Sequence, residues 1–255
     1  MPDQNAIQER LVEHYEKWKS EFNRGSLVCK DFSPPLLIAA TSSYASARAP
    51  TLIFGQETFG WSWNGDLRRQ FPVYSNDYEF ENQNSLEDFL TKPDAVKALC
   101  WGYEQFALGE TQSMRTPFWR AFRRISQAGN ALWSNVAKCD YQGGSILQLN
   151  PSHRSYFFEQ QASLVRGEIE VLSPKVVILF TGPYYDDFLR GIFPGLVFEP
   201  ALDSGTAVSK LSHPTLPAET FRTYHPNYLS RSGKLQYIEA FASIVKQSEE
   251  AESGG

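Results

Sequence analysis

Two short segments contain the residue types best suited to chemistry, and each follows a stretch typical of a β-strand. Residues 55–61 (GQETFGW) present the carboxylate of Glu57 beside an amide and an aromatic ring. Residues 225–230 (HPNYLS) begin with His225, which Pro226 restricts to an extended conformation just past the strand. Carboxylates and imidazoles are groups that enzymes commonly use for general acid–base catalysis. A lone histidine is more often structural, but the two turns together indicate a functional site.

Spacing argues against several other kinds of site. Gly60 is followed by Trp61 instead of the lysine of a phosphate-binding loop, which argues against a nucleoside triphosphatase. Neither the Gly-x-Gly-x-x-Gly pattern of dinucleotide-binding folds nor a Gly-x-Ser-x-Gly nucleophile turn occurs. The cysteines and histidines are scattered without metal-site spacing, at Cys29, Cys100, Cys139, His14, His153, His213 and His225. We therefore expect no metal and no cofactor.

The hydrophobic pattern predicts alternating strands and helices. Short apolar runs predict four strands, at residues 51–55, 131–137, 175–182 and 220–226. Helical spacing predicts helices at about residues 4–23, 86–108, 118–126, 156–172 and 235–245. Residues 36–40 (LLIAA) fit either a short strand or a buried helical turn. Because the third strand contains the continuously apolar run VVILF, it must be covered on both faces, as in a mostly parallel α/β sheet.

In such a sheet, ligands bind beyond the carboxyl ends of the strands. The positions at these ends are the residues that follow Phe54, together with Asn135, Lys138, Thr181, Gly182 and His225. We expect a single domain over residues 1–246, in which about residues 1–45 form a helical N-terminal extension. Residues 247–255 are expected to be a flexible tail.

Composition and charge limit the class of protein. The chain has 255 residues, of which 42% are hydrophobic and 21% charged, which is inconsistent with a disordered or fibrous protein. The net charge of −5 argues against a general nucleic-acid coat protein, so any contact with a polyanion must be local. No apolar run is long enough to span a membrane, and the N-terminus is polar. We expect a cytoplasmic protein without membrane contact.

Basic residues are concentrated in two stretches, residues 111–138 and 220–238, that contain no acidic residue. Their basic side chains are Arg115, Arg120, Arg123, Arg124, Lys138, Arg222, Arg231 and Lys234. Such a run is often only a solvated face. Because both stretches adjoin predicted strand ends, we expect a rim that contacts phosphates.

Four segments, in this order, resemble the motifs of the uracil-DNA glycosylase superfamily. GQETFG is similar to its first motif, SNVAKC to its asparagine-bearing second strand, SPKVVIL to its third strand, and HPNYLS to its last motif. They cover most of residues 50–246. The resemblance implies a three-layer αβα fold with a central, mostly parallel four-stranded sheet. It also implies a monofunctional DNA glycosylase that hydrolyses the N-glycosidic bond of a flipped-out nucleotide, leaves an abasic site and needs no cofactor.

The resemblance also implies roles for individual residues. Glu57 takes the position of the carboxylate that handles water and stabilises the oxocarbenium-like sugar, and His225 that of the donor to the departing base. Asn135 takes the position that reads the base edge, since one amide offers both a donor and an acceptor. The expected lining of the base pocket is Gln56, Phe59 and Gly60.

The partner implied by the resemblance is DNA, as a duplex with a flipped nucleotide or as a single strand, bound by a monomer. Leu229 matches the family's wedge into the duplex, and Ser230, Arg231 and Lys234 follow it as phosphate contacts. The first basic stretch adds Arg120, Arg123 and Arg124. For Leu229 and Phe59, packing in the core is the competing interpretation.

The chain departs from the family in the turn that carries Glu57. The uracil-specific branch has Asp followed by Pro-Tyr-His where residues 57–60 read ETFG, so uracil specificity is not implied. Only Cys139 lies at a position of the four-cysteine cluster of other branches, so no iron–sulfur cluster is expected. The superfamily includes phage-defence glycosylases. The altered turn suggests a pyrimidine with a large substituent, such as glucosylated hydroxymethylcytosine in phage DNA.

Three other functions stay open at this point. The chain could be a repair glycosylase for uracil or another deaminated base. It could be a catalytically silent nucleic-acid-binding module of the same fold, although such a module would need the arginines and not the carboxylate. An unrelated α/β hydrolase of a small ligand would leave both acid-free stretches without a role.

Overall fold

A central β-sheet organises the computed structural model, which describes residues 3–58, 60, 83–109, 115–126, 129–202 and 204–251. In this part of the chain the strands are β1 Thr51–Glu57, β2 Ala131–Ala137, β3 Val176–Leu179, β4 Val197–Pro200, β5 Val208–Ser212 and β6 Glu219–Thr223. They form one sheet in the order β2-β1-β3-β6-β5-β4. β2, β1, β3 and β6 run parallel, whereas β5 and β4 are antiparallel to their neighbours.

The mostly parallel α/β class is thus confirmed, but the described sheet has six strands instead of the four expected. The four expected strands form its parallel part. The two additional strands, β4 and β5, pair antiparallel at one edge. The side chains of β4 (VFEP) are exposed or half-exposed, so its sequence lacks the apolar run that marks a buried strand.

The α-helices of the described ranges are α1 Gln4–Glu21, α2 Ser42–Ala45, α3 Leu86–Thr91, α4 Ala95–Gly109, α5 Pro117–Ile125, α6 Pro151–Leu172, α7 Asp186–Ile192, α8 Pro226–Arg231 and α9 Gln236–Ala251. Short 3-10 turns lie at Cys29–Asp31, Ile146–Gln148 and Pro183–Tyr185. Among the described residues, no helix has both the length and the apolar character needed to span a bilayer.

A proline divides the helix that was expected at residues 86–108. α3 ends at Thr91, and Lys92, which precedes Pro93, adopts an extended conformation (φ −88°, ψ 135°). The ring of a proline disfavours helical geometry in the residue before it. α4 then begins at Ala95.

The C-terminal helix is longer than expected. α9 continues to Ala251 and so includes residues 247–251 of the expected flexible tail. The side-chain amide of Asn130 donates a hydrogen bond to Glu249 (2.7 Å), which ties the last turns of α9 to the chain just before β2. Residues 252–255 lie outside the described part of the chain.

Helices cover both faces of the sheet. Neighbouring residues on a strand point to opposite faces. Accordingly, Ser134 of β2 donates a hydrogen bond to Glu168 on α6 (3.3 Å), whereas the ring of Trp133 packs edge-on against Trp119 on α5 (5.1 Å between centroids). α1 packs on α6, and α9 packs on α5. The architecture is therefore a three-layer αβα arrangement.

The N-terminal helix belongs to the same core as the sheet. Its buried side chains are Ile7, Leu11, Tyr15 and Trp18. The hydroxyl of Tyr15 donates to Glu168 (3.0 Å) and accepts from the backbone N–H of Ile38 (3.0 Å). Ile38 lies in residues 36–40, which form neither a strand nor a helix but a buried segment of irregular structure fixed by this bond.

The α6 face of the sheet contains a buried ion pair. The side chains of Lys138 and Glu168 have no exposed surface, and the Lys138 ammonium bonds both Glu168 and Ser134. Burial lowers the pKa of Lys138, and the charge of Glu168 opposes that shift. The second carboxylate oxygen of Glu168 accepts the bond from Tyr15. β2, α6 and α1 therefore meet at one hydrogen-bonded charge pair.

Candidate functional site

Glu57 and His225 lie at the carboxyl ends of their strands and at the same level along the strand direction. Phe54, Leu179 and Arg222 form one row across β1, β3 and β6. Glu57 and His225 each come three residues after their member of this row. Since adjacent strands are about 4.8 Å apart, β1 and β6 are separated by roughly 10 Å. The two residues therefore flank the end of β3.

β1 and β3 also enclose the kind of crevice in which open α/β sheets bind ligands. The chain leaves β1 toward β2 on one side, and it leaves β3 toward β4 on the other. Such a switch in direction opens a crevice at the carboxyl ends of the two strands. The side-chain amide of Gln56 crosses it by donating to the carbonyl of Thr181 (2.8 Å). Gln56, expected in the base pocket, thus lies at this crevice.

The carboxylate of Glu57 is half-buried and partly bonded. Its Oε2 accepts a hydrogen bond from the backbone N–H of Ile146 (2.7 Å). Burial raises the pKa of this carboxyl, while interactions with Ser145, the Ile146 backbone and Tyr185 act in the opposite direction. A carboxylate that holds its proton more strongly than in water is better matched to a general base near neutral pH.

The turn after Glu57 is anchored by Asp140, a residue that the sequence analysis missed. Asp140 is buried, and its Oδ2 accepts hydrogen bonds from the hydroxyl of Thr58 (3.0 Å) and the backbone N–H of Gly60 (2.9 Å). Gly60 adopts a left-handed conformation (φ +66°) that favours glycine. One feature of the sequence could have identified Asp140: it is the first acidic residue after the acid-free stretch 111–138. Phe59, expected in the base pocket, lies outside the described residues.

His225 is held as a neutral hydrogen-bond donor. It caps α8, since its Nδ1 accepts from the backbone N–H of Asn227 (3.3 Å). The neutral ring then carries its hydrogen on Nε2. Burial, aided by the charge of Arg231, lowers the pKa of His225 from 6.5 to about 4. The ring of Phe118 stacks on the imidazole (5.9 Å between centroids, 14° between planes).

Asn135 lies on β2 beside Gly55 of β1, toward the same end of the sheet. It is buried, and a Cβ on Gly55 would lie only 2.4 Å from its Oδ1, so the amide occupies space that only a glycine leaves free. The same Cβ position is 3.5 Å from the ring of Phe118. Phe118 therefore lies close to both Asn135 and His225. From the sequence, Phe118 is recognisable only as the start of a predicted helix.

The assignment of Leu229 as a wedge is wrong for this conformation. Its side chain is 0% exposed and belongs to the core, so the competing interpretation of core packing applies. The exposed apolar surface at this edge comes from tyrosines instead. Tyr228 is 43% exposed and stacks on Tyr224 (4.4 Å between centroids), and Tyr184, after β3, is 79% exposed. The motif HPNYLS did contain the exposed ring, one position before the leucine.

The basic residues expected at the DNA-contacting rim differ in their exposure and in their ion pairs. Arg120 and Ser230 line one cavity of about 210 Å³ between α5 and α8. Arg124 also borders this cavity, but its guanidinium forms a bidentate ion pair with Glu239 on α9. This pair partly offsets the charge of Arg124, and the assignment of Arg124 as a phosphate contact stays a prediction.

The remaining basic residues lie at the same end of α8 or on α5. Arg231 is exposed and donates through Nε to the carbonyl of Asn227 (3.3 Å), which turns its side chain back along α8. Lys234 and Arg123 are half-buried. Of the expected phosphate contacts, the exposed ones are therefore Arg120, Arg124, Ser230 and Arg231, and the first three border the same cavity.

The described ranges contain no group of three or more His, Cys, Asp or Glu side chains that could hold a metal ion. The cysteines Cys29, Cys100 and Cys139 are buried and unpaired with one another. Comparison of the chain with models of protein families and with curated protein sequences gives no match.

Proposed function

We propose that the chain is a monofunctional DNA glycosylase that hydrolyses the N-glycosidic bond of a flipped-out pyrimidine and leaves an abasic site. The observation that carries the proposal is the placement of Glu57 and a neutral His225 on either side of the end of β3. A carboxylate and a hydrogen-bond donor about two strands apart suit a sugar on one side and a base on the other.

The reaction needs stabilisation of two opposite charges. As the bond between C1′ and the base breaks, the sugar becomes oxocarbenium-like and the base becomes negatively charged. Glu57 opposes the positive charge and takes a proton from the attacking water. His225 donates its Nε2 hydrogen to an oxygen of the base. Because the pKa of His225 is about 4, the imidazole does this as a neutral donor at pH 7.

Base recognition falls to Asn135 and Phe118. The amide of Asn135 offers a donor and an acceptor to the base edge. The ring of Phe118, which already stacks on His225, provides an apolar wall beside it. Both residues are held by packing and by the close approach at Gly55, so the contacts are formed before the base arrives.

The proposed partner is DNA, bound at the edge that carries the exposed tyrosines and arginines. Tyr184 and Tyr228 offer ring faces on which unpaired bases stack. Arg120 and Arg231 supply positive charge on an acidic protein. We propose a monomer that acts in the cytoplasm. The unpaired cysteines are consistent with a reducing compartment.

The proposed substrate is a modified or damaged pyrimidine, and glucosylated hydroxymethylcytosine in phage DNA is the first candidate. The turn after Glu57 is fixed by Asp140 and carries an exposed, left-handed Gly60, which differs from the Pro-Tyr-His of the uracil-specific branch. Removal of uracil or another deaminated base is the alternative for the same site.

One incubation tests the activity and the substrate together. Duplex and single-stranded oligonucleotides that contain uracil, hydroxymethylcytosine or glucosylated hydroxymethylcytosine are incubated with the protein, and alkali then cleaves any abasic site. The proposal requires strand cleavage with at least one substrate that is lost in the Glu57→Gln variant. Tight binding without cleavage would favour the second candidate, a silent nucleic-acid-binding module, for which the exposed tyrosines and arginines suffice.

A further inference from the structure

A second cavity, of about 410 Å³, adjoins the segments that hold the candidate site. Its lining residues are Leu147, Pro151, Arg154, Ser155, Tyr184, Asp187 and Phe188. Leu147 directly follows Ile146, whose backbone N–H bonds Glu57, and Tyr184 lies in the 3-10 turn that follows β3. The volume lies within the range of about 300–1,000 Å³ that is typical of small-molecule sites. The proposed reaction assigns no role to the charged side chains of this lining.

One part of the lining is aromatic. Tyr184 is 79% exposed, so its ring is open to a ligand. Phe188 on α7 is half-buried and is held by stacking on Phe158 (3.6 Å between centroids). The guanidinium of Arg154 lies over the ring of Phe188, 5.9 Å from its centroid. Aromatic rings offer broad apolar surface to a ligand, and here that surface adjoins a group of hydrogen-bond donors.

The polar side chains of the lining can both donate and accept hydrogen bonds. Arg154 donates through Nη1 to the carbonyl of Leu147 (3.0 Å), which fixes the side chain and, within the described ranges, leaves Nε and Nη2 as further donors. One carboxylate oxygen of Asp187 accepts from Arg190 (2.9 Å), which leaves the other as an acceptor. Ser155 is exposed, and its hydroxyl can serve as a donor or as an acceptor.

The charge of the lining distinguishes between classes of ligand. Arg154 and Asp187 bring one positive and one negative charge to the same cavity. A phosphate would be repelled by Asp187, and a cation would be repelled by Arg154. A neutral ligand rich in hydroxyls suits both side chains, because each hydroxyl donates one hydrogen bond and accepts others. A hexose has this character, and its C–H groups can pack against the aromatic rings.

We propose that this cavity binds a hexose that is carried by the DNA. Glucosylated hydroxymethylcytosine carries such a group on C5 of the base, where it projects beyond the edge of the ring. Because the lining begins one residue after the N–H group that bonds Glu57, the hexose belongs to the flipped pyrimidine or to a neighbouring base. The attachment of the hexose to DNA rests on the proposed function. The hexose site itself does not.

The first test needs no DNA. Methyl α-glucoside and methyl β-glucoside are titrated into the protein, and the backbone amide signals are followed by NMR. At least one glucoside should shift the signals of Leu147, Ser155 and Tyr184 with a Kd of about 1 mM, as expected for a ligand of this size. Inorganic phosphate should not shift them. Saturable shifts with phosphate, or no shifts with either glucoside at about 100 times that concentration, would overturn the inference.

A matched pair of variants locates the hexose. Ser155→Phe places a large ring in the cavity from an exposed position of α6 and should abolish the shifts caused by the glucoside. Ser243→Phe makes the same exchange at an exposed position of α9, away from the lining, and should leave the shifts intact. Arg154→Met keeps much of the side-chain volume but removes the donors, and it should raise the Kd by about 10-fold or more. Unchanged glucoside binding in Ser155→Phe or in Arg154→Met would overturn the assignment.

The second test uses oligonucleotides and the Glu57→Gln variant, which should leave the substrate intact. An oligonucleotide with one glucosylated hydroxymethylcytosine should bind about 10-fold more tightly than the same oligonucleotide with hydroxymethylcytosine. Adding Ser155→Phe to Glu57→Gln should remove this gain, whereas adding Ser243→Phe should keep it. Equal affinities of Glu57→Gln for the two oligonucleotides would overturn the proposal.

The position of cleavage identifies the base that carries the bound hexose. Wild-type protein is incubated with an oligonucleotide in which a hydroxymethylcytosine lies next to a glucosylated one, and alkali then breaks the strand at the abasic site. A break at the glucosylated base assigns the hexose to the flipped pyrimidine, and a break at its neighbour assigns it to the adjacent base. Glucoside binding without cleavage of any substrate would overturn the proposed function and keep the hexose site. Cleavage of a substrate without glucoside binding would do the reverse.

Discussion

The ring of Phe118 stacks nearly parallel on that of His225, with 5.9 Å between centroids and 14° between planes. This contact joins α5 to the start of α8, and it covers one face of the imidazole. Together with the bond from Asn227 to Nδ1, it fixes the direction of the Nε2 hydrogen. The donor of the proposed reaction is therefore oriented by its neighbours before substrate binds.

Stability should depend on pH through His225. Its pKa is about 4 in the folded protein and 6.5 when unperturbed. As pH falls from 6.5 to 4, the unfolded chain binds a proton that the folded protein does not, so the folded state loses about 3 kcal/mol. Above pH 6.5 the ring is neutral in both the folded and the unfolded protein, so the full stability is present there. The His225→Asn variant retains a good capping residue. When the free energy of unfolding is measured by urea denaturation between pH 4 and pH 6.5, it should depend less on pH in this variant than in wild type. Parallel profiles would contradict the neutral imidazole.

Glu57→Gln should be less active but more stable than wild type. Because burial raises the pKa of Glu57, the folded protein disfavours the carboxylate, and the neutral amide avoids that cost. We expect a higher Tm than that of wild type at pH 7, with turnover reduced by about 10² or more. Calorimetry and abasic-site assays measure the two effects. A variant with unchanged turnover would remove Glu57 from the mechanism.

Asp140→Asn should loosen the turn that follows Glu57. The amide nitrogen of Asn cannot accept hydrogen bonds, so the N–H groups of Gly60 and Gly143 cannot both keep their bonds. We expect a loss of about 1–3 kcal/mol in the free energy of unfolding, together with lower activity. Glu159→Gln, at an exposed position of α6, serves as the charge-matched control. Equal stability of the two variants would contradict the anchoring role.

The two arginines that border the α5–α8 cavity should contribute differently to DNA binding. Arg120→Ala should reduce the slope of log K against log salt concentration by about 1, as expected for one lost phosphate contact. Arg124→Ala should leave the slope nearly unchanged, because Glu239 already pairs with Arg124. Fluorescence anisotropy over a range of salt concentrations measures both slopes. Equal reductions of the slope in the two variants would show that Arg124 also contacts a phosphate.

Breaking the buried ion pair should be costly, and removing it as a unit should not. Lys138→Met leaves the carboxylate of Glu168 buried without its cation, at a cost of about 3–5 kcal/mol. In the double variant Lys138→Met with Glu168→Leu, most of that loss should be recovered. Denaturant titrations of wild type, Lys138→Met, Glu168→Leu and the double variant measure the coupling. Additive losses would show that the pair is not a unit.

Much of the fold was predictable because its signals are extended patterns. β3 is a continuous apolar run, β2 is mostly apolar, and the spacing of the buried residues on α1 marks a helix directly. β4 was missed because its side chains are mostly exposed, so they leave no hydrophobic pattern.

The site was only partly predictable because its supporting residues are single positions. Glu57 and His225 could be found from the turns that follow strands. Asp140 and Tyr185 act through contacts with chain segments far away in sequence, which no spacing encodes. Leu229 was misassigned because the order of residues in the motif does not reveal which side of the six-residue helix α8 faces the core.

The hydroxyl of Tyr15 reaches the same carboxylate that the ammonium of Lys138 bonds, immediately beyond the strand that carries Asn135. Removal of the N-terminal helix should therefore affect the part of the sheet that carries Asn135. Loss of α1 would remove a donor from Glu168 and open the layer beneath β2, so a shortened variant should show altered base choice in the abasic-site assay, although α1 carries none of the proposed site residues.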